Sequence, residues 1–244
     1  MNIFTQGLRR ERVTTPAETV RKSRRDFFRK TGLGLASAGV VLAACDDDEM
    51  MGETGGMGVD LGSGDVGVLN YAYALEQLEA AFYARVLDGA YYGSLGAGED
   101  ERQVLTALEA HERAHAAFFA AVIPTVGTAI PTLEVDFSGV DFSDRDSVLT
   151  TARTFEDLGV SAYNGAGRLL TNPDYLTLAG KIVSVEARHA AAIRSLISPG
   201  TAAFAGDDVV SAGNGLDAAR TPAQVLMAAG PFLTTEIDAS NLPG

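Results

Sequence analysis

An all-α fold is what this sequence predicts: a four-helix up-down bundle with one long crossover between helices two and three, plus a short C-terminal helix. Three observations predict it. From residue 65 onward apolar residues recur at three- and four-residue spacing. Helix start and stop signals cut this pattern into four long stretches. The connection between the second and third stretches is far longer than the others.

The first helix is expected over residues 65–88, stopped by Gly89. The second spans residues 99–123, with acidic residues in its first turn, where they complement the helix dipole, and Pro124 beyond its end. Residues 124–143 contain Pro and Gly and suit a short extended segment over 133–142. Ser143 is the expected N-cap of the third helix, which reaches residue 170. Asn172-Pro173 opens the fourth, which ends near Ser198-Pro199-Gly200. Residues 65–200 thus form the bundle, and residues 201–244 form a loop with a short helix over 222–229 that packs on it. A structureless link of about twenty residues normally argues against an assignment. Here it has a purpose: helices two and three must run parallel, so the chain has to cross the length of the bundle.

The N-terminal part reads differently. Ser23-Arg24-Arg25-Asp26-Phe27-Phe28-Arg29-Lys30 resembles a twin-arginine export signal, with Arg24 and Arg25 as its pair. A Gly- and Ala-rich stretch over residues 31–44 follows, too short to span a bilayer. It ends in Leu42-Ala43-Ala44-Cys45, which resembles a bacterial lipobox. The resemblance implies a signal peptide over 1–44, removed by processing that leaves a lipidated Cys45 as the first mature residue. The expected partners are then the twin-arginine translocation machinery and a membrane, held through the lipid on Cys45. The expected location is exported and lipid-anchored in the bacterial cell envelope. Residues 45–64, rich in Gly and acidic residues, suit a flexible tether.

Cys45 is the only cysteine, so neither an intrachain disulfide nor a thiolate metal site can form. The chain holds 19 basic and 32 acidic residues; beyond residue 44 there are 10 against 29, a net charge of −19. Such acidity repels phosphates, and nucleic acid is not an expected partner.

The histidines carry the chemistry. There are three, His111, His115 and His189, and two of them end an E-x-x-H: Glu112-Arg113-Ala114-His115 and Glu186-Ala187-Arg188-His189. Residues three apart on a helix lie about 60° apart and about 4.5 Å along its axis, so both side chains can reach one metal ion. An internal repeat supplies the rest. Leu75-Glu76-Gln77-Leu78-Glu79-Ala80-Ala81-Phe82-Tyr83 aligns with Phe155-Glu156-Asp157-Leu158-Gly159-Val160-Ser161-Ala162-Tyr163. Glu76 falls on Glu156 and Tyr83 on Tyr163, while Glu79 falls on Gly159, which nominates Glu76 as the counterpart of Glu156. Counted at about 1.5 Å per residue from the helix ends, Glu76, Glu112, Glu156 and Glu186 land at nearly one level.

This set resembles the ligands of ferritin-like di-iron and di-manganese carboxylate proteins, one Glu from each of two helices and E-x-x-H from the other two. Together with the export signal it is most similar to ferritin-like domain proteins related to desiccation-associated proteins. The resemblance implies two Fe or two Mn ions. It also implies Glu112 and Glu186 as bridges, His115 and His189 as terminal ligands, and Glu76 and Glu156 as terminal or chelating ligands. Carboxylate and imidazole suit either metal, and four carboxylates neutralise two divalent ions. Tyr83, Tyr163, Glu79 and His111 are expected around the ligands, the tyrosines either hydrogen-bonding a ligand, acting in redox chemistry or simply filling the core. Chemistry on oxygen or peroxide and simple metal binding both stay open. A tethered monomer or homodimer suits neither a closed storage cage nor mineral storage.

Two other readings compete. His111-Glu112-Arg113-Ala114-His115 also matches the H-E-x-x-H of zinc peptidases, with Glu134 or Glu156 as third ligand, but leaves Glu186-x-x-His189 and the repeat unexplained. The other is a helical scaffold or desiccation protectant with a structural metal.

Overall fold

In the computed structural model, residues 58–243 are described. The expected signal and tether up to residue 57, including Arg24, Arg25 and Cys45, lie outside the described residues. The four long helices are α1 (Gly64–Leu87), α3 (Asp100–Val122), α4 (Arg145–Ala166) and α5 (Pro173–Ile197), with short helices α2 (Ala90–Ser94) and α6 (Pro222–Ala229). None among the described residues is long and apolar enough to cross a membrane. Two two-residue strands, β1 (Val59–Asp60) and β2 (Ile237–Asp238), pair in parallel.

The helix ends follow most of the sequence signals, with local exceptions. Asn172 accepts a hydrogen bond from the Asp174 amide and Pro173 sits in the first turn of α5, as anticipated. Thr221 and Gln224 form a reciprocal capping box at the start of α6. The cap of α4 is Asp144 rather than Ser143: the Asp144 carboxylate accepts from the Ser147 amide, while Ser143 is drawn into a turn on Asp141. Beyond α3, Pro124 does not stop the chain; Ile123–Thr125 continues as one 3₁₀ turn, which tolerates Pro at its start. α4 likewise closes in a 3₁₀ turn, Gly167–Leu169.

The hydrogen bonds fix the topology. The link 124–144 runs along α1 from end to end. Asn70 donates to the Thr128 carbonyl and accepts from the Ile130 amide. Further along, Gln77 donates to the Pro131 carbonyl and accepts from the Leu133 amide. The Phe142 carbonyl then accepts from the Tyr91 amide, just past the end of α1. The link therefore delivers the start of α4 to the start of α3, where Arg145 pairs with Glu101 at 2.9 Å. Helices α3 and α4 are parallel and the crossover is real. It is no free loop, since Ile130 and Leu133 are buried. Its extended residues make only an isolated bridge, Val135 to Leu233, and no strand.

The fold also begins earlier than expected. β1 pairs with β2, and Leu61 is 0% exposed in the core, so residues 58–63 belong to the fold and not to the tether. A two-residue strand is too short to show alternation, which hid it from sequence reading. The C-terminal segment seals the α4 face. Val225 and Ala229 are fully buried, and the Arg220 amide donates to the Ser161 carbonyl. A Cβ on Gly165 would meet the Arg220 carbonyl oxygen at 1.7 Å, so this close approach requires glycine.

Asn70 is 2% exposed and makes three hydrogen bonds, the third to the Leu61 carbonyl, tying α1 to the crossover and the N-terminal segment. Asn70→Ala would strand these backbone groups, and the expected cost is about 2–4 kcal/mol in urea unfolding. A loss below about 0.5 kcal/mol would show that water replaces the side chain.

Candidate metal centre

On each long helix one polar turn interrupts the apolar stripe. α1 presents Ala72, Glu76, Glu79 and Phe82 in succession, and α3 presents Leu108, Glu112, His115 and Phe119. α4 presents Ala152, Glu156 and Tyr163, and α5 presents Ile182, Glu186, His189 and Ile193. The four turns meet in one buried layer: Glu112 and Glu156 are 0% exposed, Glu186 1%, Glu76 2% and His189 3%.

Within that layer the six residues form two overlapping groups, Glu76, Glu112, His115, Glu186 and Glu112, Glu156, Glu186, His189, each with its donor atoms within 4.8 Å of one another. The overlap is atom by atom. His115 Nδ1 lies 3.3 Å from Glu112 Oε2, 3.0 Å from Glu186 Oε1 and 3.2 Å from Glu76 Oε2. His189 Nδ1 lies 2.7 Å from Glu112 Oε1, 3.6 Å from Glu186 Oε2 and 3.4 Å from Glu156 Oε2. Glu112 and Glu186 thus each give one oxygen to either group, while Glu76 and Glu156 serve one group apiece.

The remaining oxygens are held by tyrosines, and crosswise. Tyr83 on α1 donates to Glu156 Oε1 at 2.5 Å, and Tyr163 on α4 donates to Glu76 Oε1. Spacing along one helix suggests a tyrosine beside its own Glu; the structure instead sends each across to the other hairpin.

Histidine 111 takes a supporting place. It is exposed, belongs to neither group, and its Nδ1 lies 2.9 Å from His189 Nε2. Lying one turn before His115, it faces His189 on α5 rather than joining His115. The peptidase pairing of His111 with His115 is therefore not the one formed, and Glu134 is exposed on the crossover. Glu79 is 5% exposed, with a buried oxygen that has no partner.

The donor set fits cations. Glu76 Oε2, Glu79 Oε2, Glu112 Oε1, Glu156 Oε2, both Glu186 oxygens and His189 Nδ1 are buried without an aligned hydrogen bond. These atoms converge instead of pairing, and burying such groups unsatisfied is costly. Two imidazoles with oxygen donors suit Fe or Mn. Electrostatics agree. Burial, reinforced by neighbouring carboxylates, pushes Glu156 up to about 8 and holds Glu76 and Glu79 well above the usual carboxylate range. Burial also acts on Glu112, but the His115 and His189 rings beside it outweigh burial and bring that group down to about 2. Burial disfavours charge on the two rings, yet the surrounding carboxylates win and push both up to about 12. Burial, followed by the charge of the bonded Glu, holds Tyr83 and Tyr163 well above 10.

Next to this layer lies an apolar cavity of about 30 Å³. Ala72, Phe119 and Ile182, each one turn from Glu76, His115 and Glu186 respectively, line it together with Tyr163 and Tyr71.

A carboxylate–histidine layer of this kind, inside four long helices with one crossover, is a helical bundle whose centre could hold metal ions. The comparison with known families agrees: residues 64–199 match the ferritin-like domain, and the chain belongs to that family. No curated protein matches the chain.

Two outcomes are expected. Metal ligands must shed their protons, and both imidazoles carry them at neutral pH in the metal-free protein, since they are raised from 6.5 to about 12. Metal affinity therefore rises with pH, and titration calorimetry in buffers of different ionisation heat should show at least two protons released per chain. Affinity that falls as pH rises would contradict this arrangement. Separately, His189 turns Nδ1 to the carboxylates, so its Nε2–H donates to His111. His111→Ala should weaken metal retention against a chelator by about ten- to a hundredfold; unchanged retention would reduce His111 to a bystander.

Proposed function

We propose that this protein binds a dinuclear Fe or Mn centre and acts as an oxidoreductase on oxygen or peroxide. The observation that carries it is the division of Glu112 and Glu186, one oxygen to each group. Two groups sharing two carboxylates suit two adjacent ions better than one. Glu76, Glu112, His115 and Glu186 would hold one ion, and Glu112, Glu156, Glu186 and His189 the other. When bound, a redox-active metal pair would supply the oxidation–reduction chemistry, with peroxide able to serve as both oxidant and reductant.

The chain's own residues supply the setting. The crossed tyrosine bonds hold one oxygen each of Glu76 and Glu156, leaving the other free to face the layer. Phe82, Phe155, Phe119 and Ile182 exclude water above and below. The apolar cavity beside Glu76, His115 and Glu186 suits a small apolar molecule such as dioxygen, since cavities with such walls stay dry. We also propose export through the Arg24-Arg25 signal and anchoring through lipid on Cys45; the order of the two motifs supports both. Twin-arginine export suits a protein that folds around its metal before crossing the membrane. An alternative is a scaffold with a structural metal, which binds ions without turnover.

Elemental analysis of the full chain is the test. Two Fe or Mn per chain, falling to one or none in Glu186→Ala and His189→Ala, followed by consumption of peroxide or oxygen, is the expected result. One zinc per chain, indifferent to Glu186→Ala, would sink the dinuclear reading. Two ions without turnover would leave the scaffold.

A further inference from the structure

The two halves of the site match except at one pair of positions. α1 carries Glu76, Glu79 and Tyr83; α4 carries Glu156, Gly159 and Tyr163 at the same spacing. The mismatch is spatial as well. A Cβ placed on Gly159 would lie 3.1 Å from Glu79 Oε1 and 3.7 Å from Glu186 Oε2. The missing side chain of α4 is therefore the room into which the Glu79 carboxylate of α1 extends.

What Glu79 does there is unexplained by the six-residue set. Its Oε2 is buried without a hydrogen-bond partner, and no Lys, Arg or His among the described residues pairs with it. Both nearby imidazoles already face Glu112 and Glu186. A buried carboxylate without donor or counter-charge is unfavourable unless a proton or a cation meets it. The shared notch with Glu186 Oε2, the oxygen on the His189 side, places it beside the second group.

We propose that Glu79 is a seventh protein donor, serving the ion held by Glu112, Glu156, Glu186 and His189 and leaving the other position with four donors. This rests on the dinuclear reading above. The two positions are then unequal: one has five protein donors with an extra negative charge, the other four. The better-endowed position fills first and holds its ion more tightly. Gly159 is the permissive half of the device, because any side chain there takes the space Glu79 needs.

Mn(II) titration of the full chain tests this, read by calorimetry and by the paramagnetic signal of bound Mn(II). Wild type should take up two ions in two resolved steps. Glu79→Gln, nearly isosteric but uncharged, should weaken the tighter step by roughly tenfold or more and leave the weaker one unchanged. Gly159→Ala keeps the carboxylate but crowds it, and should weaken the same step. Two equal steps in wild type, or steps unchanged in both variants, would overturn the proposal while leaving the dinuclear reading intact. Equal weakening of both steps would overturn the assignment to one side. A wild type that binds no Mn(II) or Fe(II) would overturn both readings. Helical content and thermal unfolding of each metal-free variant show that the comparison is between folded proteins.

Discussion

The constraint on which this structure depends is the burial of five carboxylates and two imidazoles in one layer of a helical core. Glu76, Glu79, Glu112, Glu156 and Glu186 are each no more than 5% exposed. Groups of this kind cannot sit in an apolar interior uncompensated. Everything around the layer answers to it. The helices are long enough to stack apolar residues on both sides, and the crossover and C-terminal segment close the flanks. The tyrosines bind the carboxylate oxygens that face away from the centre.

The arrangement is an approximate two-fold built from two hairpins, α1 with α3 and α4 with α5. Within each hairpin a lone Glu meets an E-x-x-H, so each hairpin supplies most of one group. What binds the hairpins together is exchanged: Tyr83 and Tyr163 cross over, and Glu112 and Glu186 each divide between the groups. An isolated hairpin would hold an incomplete group and an unpaired tyrosine. The site is thus also the interface between the halves, and the packing and the chemistry stabilise each other. The crossover 124–144 is what allows this, since it brings α4 in parallel to α3 and puts all four polar turns at one height.

Much of this was legible in the sequence because helical periodicity and E-x-x-H are local signals. The four long helices, the crossover and the level of Glu76, Glu112, Glu156 and Glu186 follow from spacing alone. The β1–β2 pair was not legible, because its partners lie far apart in sequence and each is only two residues long. Short helix α2 follows Gly89, a residue that marks a stop and not a start. Competition among Asp141, Ser143 and Asp144 for the cap of α4 was decided by turn geometry, which adjacent residues with similar side chains conceal. The crossed tyrosine bonds are a tertiary fact: spacing puts Tyr83 near Glu76, whereas packing puts it on Glu156. The Glu79–Gly159 mismatch was visible as a break in the repeat, but its meaning needed the notch on α4.

That mismatch bears on how a duplicated half-site acquires direction. Two equal halves give two ions equal surroundings, and any electron or ligand entering the pair meets no preference. A fifth carboxylate removes the equality without disturbing the bridges or the imidazoles. On the dinuclear reading, five negative charges would also exceed what two divalent ions neutralise. The apolar cavity is lined by Ala72 and Phe119, one turn from Glu76 and His115 of the opposite group. On the dinuclear reading, Glu76, Glu112, His115 and Glu186 would then hold the ion nearer the cavity, where a small molecule would have space. Charge would then gather on one side and access on the other, which a strictly symmetric site could not provide.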